Sequence, residues 1–234
     1  MTNADALRQG GAAVTANDVV FGARGTGYYA APTAPGTYPG VVMVHEWWGL
    51  NEQIKDTARD LAAQGYRVAA VDLFHKPAAT AREEAQAQVA ALNQTNAVQE
   101  MREAANYLRA QGAPKVASLG WCFGGKQSLE LALSGEPLSA TVIYYGSNPP
   151  TSPHGLEVIT WPLLALYGDQ DQGIPLEHIE QFKAALAAAG VAHSIQVYPG
   201  VGHAFANPSG PNYAPEPTAD AWAKTLDFLA KNLK

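Results

Sequence analysis

Ser118-Leu119-Gly120-Trp121-Cys122-Phe123-Gly124-Gly125 carries the only cysteine of the chain, with small residues on both flanks. A nucleophile on a sharp turn between a strand and a helix needs neighbours without bulk, because strand and helix backbones pass close together there. Gly120 and Gly124 meet that need, with sulfur standing where a serine oxygen is usual. Residues 116–119 read as a short buried strand, and residues 126–133 read as a helix that ends at Gly135. Strand, tight turn and helix therefore arrive in the order that exposes Cys122 at a strand end. A lone cysteine is more often plain core, but core packing does not call for glycines at these two spacings.

Outward from this turn, strands and amphipathic helices alternate. Val41-Val42-Met43-Val44 is a continuous apolar strand, and Ile54, Ala58, Leu61 and Ala62 follow at helical spacing before Gly65. Residues 67–71 form the next strand, then Val98, Met101, Ala105 and Leu108 mark a helix closed by Gly112. Residues 140–145, 163–167 and 194–198 continue the strands. Ile179, Phe182, Leu186 and Ala187 line one helix, and Trp222, Leu226, Leu229 and Leu233 line the last. This alternation predicts an α/β fold, a mainly parallel twisted sheet with helices on both faces. Ahead of it, residues 19–21 and 27–30 read as antiparallel strands, residues 31–40 as a connecting turn, and residues 1 to about 17 as a loose arm. No repeat or linker divides the sequence, so residues 1–234 are expected to form one domain.

A chain of 234 residues with net charge −6 and no block of Lys and Arg does not offer a nucleic-acid surface. No stretch approaches the roughly 20 apolar residues of a membrane span, and the first residues lack the pattern of a secretory signal. The expectation is a cytoplasmic monomer with no membrane or nucleic-acid partner. One cysteine makes no internal disulfide, which suits a reducing compartment where a thiol survives. No His, Cys, Asp and Glu cluster has metal-ligand spacing, so neither a metal nor another cofactor is expected.

A thiol ordinarily loses its proton only near pH 8.5, so a nucleophilic cysteine needs a base or a cationic partner. In parallel α/β sheets such partners come from the carboxyl ends of other strands. His203, in Gly200-Val201-Gly202-His203-Ala204-Phe205 after the last strand, is the strongest candidate of six histidines; His154, His178 and His193 read as solvated. A base of this kind needs a carboxylate to fix its tautomer, and Gly168-Asp169-Gln170-Asp171 offers two after a strand. Their positions alone do not choose between Asp169 and Asp171; the other one would form the turn. His45-Glu46-Trp47-Trp48-Gly49-Leu50-Asn51 follows the first parallel strand, where the backbone N–H of Trp47 could join that of Phe123 in an oxyanion hole. Glu46 beside such a hole is unusual for an ester hydrolase. It could accept the thiol proton, and it would oppose a standing thiolate.

Together these motifs resemble the dienelactone hydrolase family, the carboxymethylenebutenolidases, within the α/β-hydrolase fold. The resemblance runs from about Val19 to the last helix. It implies a Cys-Asp-His triad matched by Cys122, His203 and Asp171, the last selected over Asp169 by the family's G-x-x-D motif, and it matches Glu46 to the glutamate of E-x-x-G-x-N. It further implies attack by Cys122 on an activated ester or enol-lactone, an acyl-thioester intermediate, and a proton carried by Glu46. The two arginines that hold substrate carboxylates in the family are replaced here, by Lys76 and by Asn207, and Arg82 or Lys126 could supply the missing charge. Tyr145 and Trp48, with Trp47, Phe123, Phe74 and Tyr144, are expected to wall the pocket around a small ester or lactone. Residues 207–217 could form a lid, though a fixed surface crossing fits their composition better. A general carboxylesterase or thioesterase, or a binding protein on the same fold, would share these features.

Overall fold

Val41 to Val44 carry no polar side chain, and every residue of the strand they occupy is buried, as in a strand covered on both faces. The computed structural model describes residues 11–234. They fall into two compact units that divide after Val116.

The first unit holds β1 (Val14–Phe21), β2 (Gly25–Pro32), β3 (Gly40–Val44) and β4 (Arg67–Val71), with α1 (Glu52–Ala63), α2 (Arg82–Ala90) and α3 (Gln94–Ala110). β1 and β2 form an antiparallel hairpin, β2 pairs antiparallel with β4, and β3 lies parallel to β4. α1 starts where the Asn51 side chain accepts the Ile54 N–H, and it buries Ile54, Ala58, Leu61 and Ala62. α3 starts at Asn93 in the same manner and packs Met101, Ala105 and Leu108 toward the strands.

The second unit holds β5 (Val116–Trp121), β6 (Ala140–Tyr144), β7 (Leu163–Gly168) and β8 (His193–Tyr198), paired in that order and all parallel. Its helices are α4 (Phe123–Leu133), α5 (Leu176–Ala188) and α6 (Pro215–Leu233). β5, β6 and β7 are buried along their whole length, whereas β8 is half exposed. Parallel strands that share a direction bring residues 122, 145, 169 and 199 to one edge, which is where the site lies.

Three expectations need correction. The loose arm reaches too far: residues 1–10 lie outside the described residues, but Val14 to Asn17 pair with Tyr29 to Pro32 in the β1–β2 hairpin. The connecting turn begins later, since β2 continues to Pro32. Helix α2 is absent from the sequence reading because it has almost no apolar stripe; Ala85 is its one buried residue.

Leu108 is fully buried against the strands of the first unit, with its Cβ close to Gly40. Leu108→Ala is expected to cost about 2–5 kcal/mol in urea unfolding. A loss below about 1 kcal/mol, the scale of a surface change, would contradict the packing.

Candidate active site

The turn at Cys122 is built by close backbone contact. A Cβ on Gly120 would stand 2.0 Å from the Gly124 carbonyl oxygen, and one on Gly125 would stand 2.6 Å from the Tyr144 carbonyl oxygen. Side chains cannot be accommodated at either place. Cys122 itself takes φ 54° and ψ −115° at the N-cap of α4, a backbone state that L residues adopt rarely. Its N–H donates to the Tyr144 carbonyl at 2.9 Å. Beneath the turn, the Ser128 hydroxyl donates to Ser118 Oγ at 2.9 Å and Trp161 Nε1 donates to Thr141 Oγ1 at 2.9 Å. These buried polar groups are satisfied and tie α4 to β5 and β6, and none stood out in the sequence.

Two loops bring the partners. A Cβ on Gly168, at the end of β7, would meet the Val201 carbonyl oxygen at 2.2 Å, so this glycine lets the loops after β7 and β8 touch. Gln170 N–H donates to that same Val201 oxygen at 3.0 Å. Asp169 accepts the Gly200 N–H at 2.7 Å, whereas Asp171 Oδ2 lies 2.7 Å from His203 Nδ1. The carboxylate turned toward the imidazole is therefore that of Asp171, and Asp169 forms the turn. His203 Nε2 lies 3.0 Å from Cys122 Sγ. The line Sγ, imidazole, carboxylate runs from a partly exposed thiol to an Asp171 side chain at 0 % exposure.

Burial of the His203 ring works against a positive charge. The hydrogen bonds to Asp171 and to Cys122 outweigh it and push the imidazole up to about 10. A ring protonated at both nitrogens would donate Nδ1–H to Asp171 and Nε2–H to sulfur. The Tyr145 ring meets the imidazole edge-on at 5.2 Å, and Asn212 Nδ2 donates to the His203 carbonyl at 2.9 Å. Asn212 was invisible to sequence reasoning, since an Asn in a Pro-rich loop ordinarily signals only a turn.

The other expected residues fare unevenly. Tyr145 is fully buried, its ring edge-on to those of His203 and Phe205. Asn207 is also buried, and its side-chain oxygen accepts the Ser209 N–H at 2.9 Å. Residues after 207 are stitched down, with Ala214 N–H on the Phe205 carbonyl at 2.9 Å and the Thr218 hydroxyl on the same oxygen, as a fixed crossing requires. Tyr144 is core, its hydroxyl 2.7 Å from Thr225 Oγ1. Phe123 opens α4. His154 and His178 are exposed, but His193 is half-buried with Nδ1 2.8 Å from the Val191 carbonyl.

In the first unit, Glu46 is buried on the turn that leaves β3. Trp47 and Trp48 are half-buried and meet edge-to-face at 5.0 Å, and Phe74 packs on His45. The Arg82 guanidinium lies 5.6 Å over the Trp47 ring and has no carboxylate partner among the described residues. Lys126, the other candidate cation, is tied to Glu130 at 2.8 Å. Lys76 is exposed and lines a groove of about 500 Å³ with Thr80, Glu84 and Gln88. Among the described residues no helix is long and apolar enough to cross a membrane.

A nucleophile-type turn before a helix, with acid and imidazole on the next strand ends, defines the α/β-hydrolase class, and comparison with known structures agrees. The fold matches a crystal structure named "Putative Dienelactone Hydrolase" from Klebsiella pneumoniae, with TM-score 0.85 and 26% identity over 94% of this chain and 99% of that one. It also matches a dienelactone hydrolase-like promiscuous phosphotriesterase from metagenomic libraries, with TM-score 0.85 and 25% identity over 95% of this chain and 100% of that one. In sequence, a "Putative carboxymethylenebutenolidase" of Yersinia pestis is 32% identical, over 88% of this chain and 83% of its own. The model of the Dienelactone hydrolase family matches residues 26–233. The chain belongs to that family and is a hydrolase that cleaves esters.

Proton nuclear magnetic resonance of the His203 ring checks the electrostatics. The ring is expected to titrate near pH 10, and Asp171→Asn, which removes the first of the two raising partners, is expected to lower that midpoint toward the ordinary 6.5. A midpoint unmoved by Asp171→Asn would contradict the coupling.

Proposed function

We propose that this protein is a cysteine-dependent hydrolase of activated cyclic and enol esters. The reading is supported above all by the hydrogen-bonded line in which His203 lies 3.0 Å from Cys122 Sγ and 2.7 Å from Asp171 Oδ2. An imidazole held protonated next to sulfur stabilises a thiolate, the form that attacks. Cys122 at the N-cap of α4 also places developing negative charge at the positive end of a helix.

In this mechanism the Cys122 thiolate adds to the ester carbonyl, and the oxyanion is held by the backbone N–H of Phe123 at the start of α4. Collapse breaks the C–O bond, the leaving oxygen departs as an enolate, and the His203 imidazolium supplies its proton. The acyl group is then a thioester on Cys122. Neutral His203 next takes a proton from water, the hydroxide adds to the thioester carbonyl, and the thiolate is expelled beside the restored imidazolium. Asp171 keeps the imidazole in one orientation throughout. A thiolate is a better leaving group than a simple alkoxide, so an alkyl ester would return to substrate; a stabilised enolate avoids that return.

With Asn207 committed to its loop and Lys126 to Glu130, the two-arginine carboxylate clamp of the family is not reproduced at these positions. This lighter clamp favours a second, broader reading, a carboxylesterase of wider range, as the name of the metagenomic phosphotriesterase also suggests for that relative. Either way, we take the chain to be one monomeric domain working in the cytoplasm, where its thiol stays reduced.

The test is a substrate panel of enol-lactones, aryl esters, ethyl esters, thioesters and phosphotriesters on wild type and Cys122→Ala. Enol-lactones and aryl esters should be turned over fastest, and Cys122→Ala should lower kcat by at least about 10³-fold. Undiminished turnover in that variant would exclude the thiol, and equal rates on ethyl esters would favour the broader reading.

A further inference from the structure

His203 must move a proton in each half of the reaction proposed above, yet it sits in a loop of the second unit, where no helix or strand holds its backbone. The loop is anchored on either side. Before the histidine, the Val201 carbonyl accepts the Gln170 N–H at 3.0 Å. After it, Phe205 is fully buried against the Tyr145 and Tyr198 rings, and its carbonyl accepts the Ala214 N–H and the Thr218 hydroxyl, both at 2.9 Å. Between these anchors, Asn212 Nδ2 donates to the His203 carbonyl at 2.9 Å, and the same nitrogen lies 3.7 Å from where a Cβ on Gly202 would stand.

The His203 carbonyl and the Ala204 N–H belong to one planar peptide. A donor on that carbonyl fixes the plane, and with it the backbone angles on both sides, ψ of His203 and φ of Ala204. Ala204 takes φ 59°, a left-handed state that residues with a Cβ adopt rarely. Without the donor this strained turn is free to relax, and the Cα–Cβ bond that carries the imidazole swings with it. Asn212 is itself exposed, and the chain that carries it is fixed by the Tyr213 N–H on the Gly210 carbonyl at 3.3 Å.

In the resting site the ring is held at both nitrogens, by Asp171 at 2.7 Å and by Cys122 Sγ at 3.0 Å. Acylation removes the second hold. Once the leaving oxygen has taken the proton, Nε2 has nothing to donate, and the thioester sulfur carries no charge to attract it. Nε2 must still meet a water molecule and take its proton as the new O–C bond forms, before the C–S bond breaks and the thiolate returns. We propose that Asn212 is a positioning residue for this second half of the reaction, keeping the imidazole aimed while sulfur no longer holds it. The inference deepens the thiol reading and rests on it.

The experiment compares wild type, Asn212→Ala and Asn212→Gln on an activated aryl ester and reads two rates: kcat/KM, which reports acylation, and the decay of the acyl-enzyme followed by rapid-quench mass spectrometry. Asn212→Ala should slow that decay about 10-fold, between the cost of one ordinary hydrogen bond and that of a displaced reacting group. Its kcat/KM should change by less than about 2-fold, because acylation starts from a ring that sulfur still holds. Asn212→Gln, which keeps the amide donor, should recover part of the loss. The side chain is exposed, so both variants keep the fold. Wild-type decay in Asn212→Ala would overturn this proposal alone, as would equal losses in both rates or no recovery with Gln. No acyl-enzyme in any of these proteins, nor in Asp171→Asn, would overturn the thiol reading and this proposal with it.

Discussion

A Cβ on Gly120 would stand 2.0 Å from the Gly124 carbonyl oxygen, and this contact between the end of a strand and the first turn of the next helix governs the second unit. The approach leaves Cys122 no extended or helical backbone state, and it takes φ 54°. Such a conformation costs about 1–3 kcal/mol and persists only where its surroundings over-determine it. Here they do: Cys122 N–H is fixed on Tyr144, Gly125 lies against the same carbonyl, and a buried group of Ser118, Ser128 and Thr141 fastens the helix below. The strain lifts the thiol out of the core and sets it at a helix N-terminus.

A second close contact does for the imidazole what the first does for the thiol. Gly168 lets the loop after β7 lie against the loop after β8, with its would-be Cβ 2.2 Å from the Val201 oxygen. The Asp171 carboxylate is buried by that contact, and a buried carboxylate is a strong partner for a cation because little water screens it. His203 gains more from Asp171 and sulfur than it loses to burial, and its proton is retained to about pH 10. Tyr145 and Asn212 hold the ring and the backbone of the same residue. In the first unit the buried His45 ring joins the turn after β3 to the turn after β4, through the Glu46 carbonyl and the Leu73 N–H.

Much of this was legible in the sequence. The strands and most helices show themselves through apolar runs and 3.6-residue spacing, and the glycines around Cys122 mark the turn because nothing else fits. Cys122 and His203 were singled out from strand-end position and motif and Asp171 from the family resemblance, and the structure brings their side chains together. Helix α2 escaped because a run of Ala, Gln and Glu has no stripe to read. The burial of Tyr145 and Asn207 could not be read from their positions near the site, because it is set by contacts distant in sequence. His45 and Asn212 make hydrogen bonds to backbone, which leave no spacing to detect.

The central claim is that the acyl group passes through the sulfur of Cys122. Rapid-quench mass spectrometry of the enzyme mixed with excess aryl ester tests it most directly. The account predicts a transient mass increase equal to the acyl group, located on the peptide containing Cys122 and removed by hydroxylamine at neutral pH, as a thioester is. Full turnover with the acyl group on another residue, or with no adduct even when deacylation is slowed by Asp171→Asn, would contradict it.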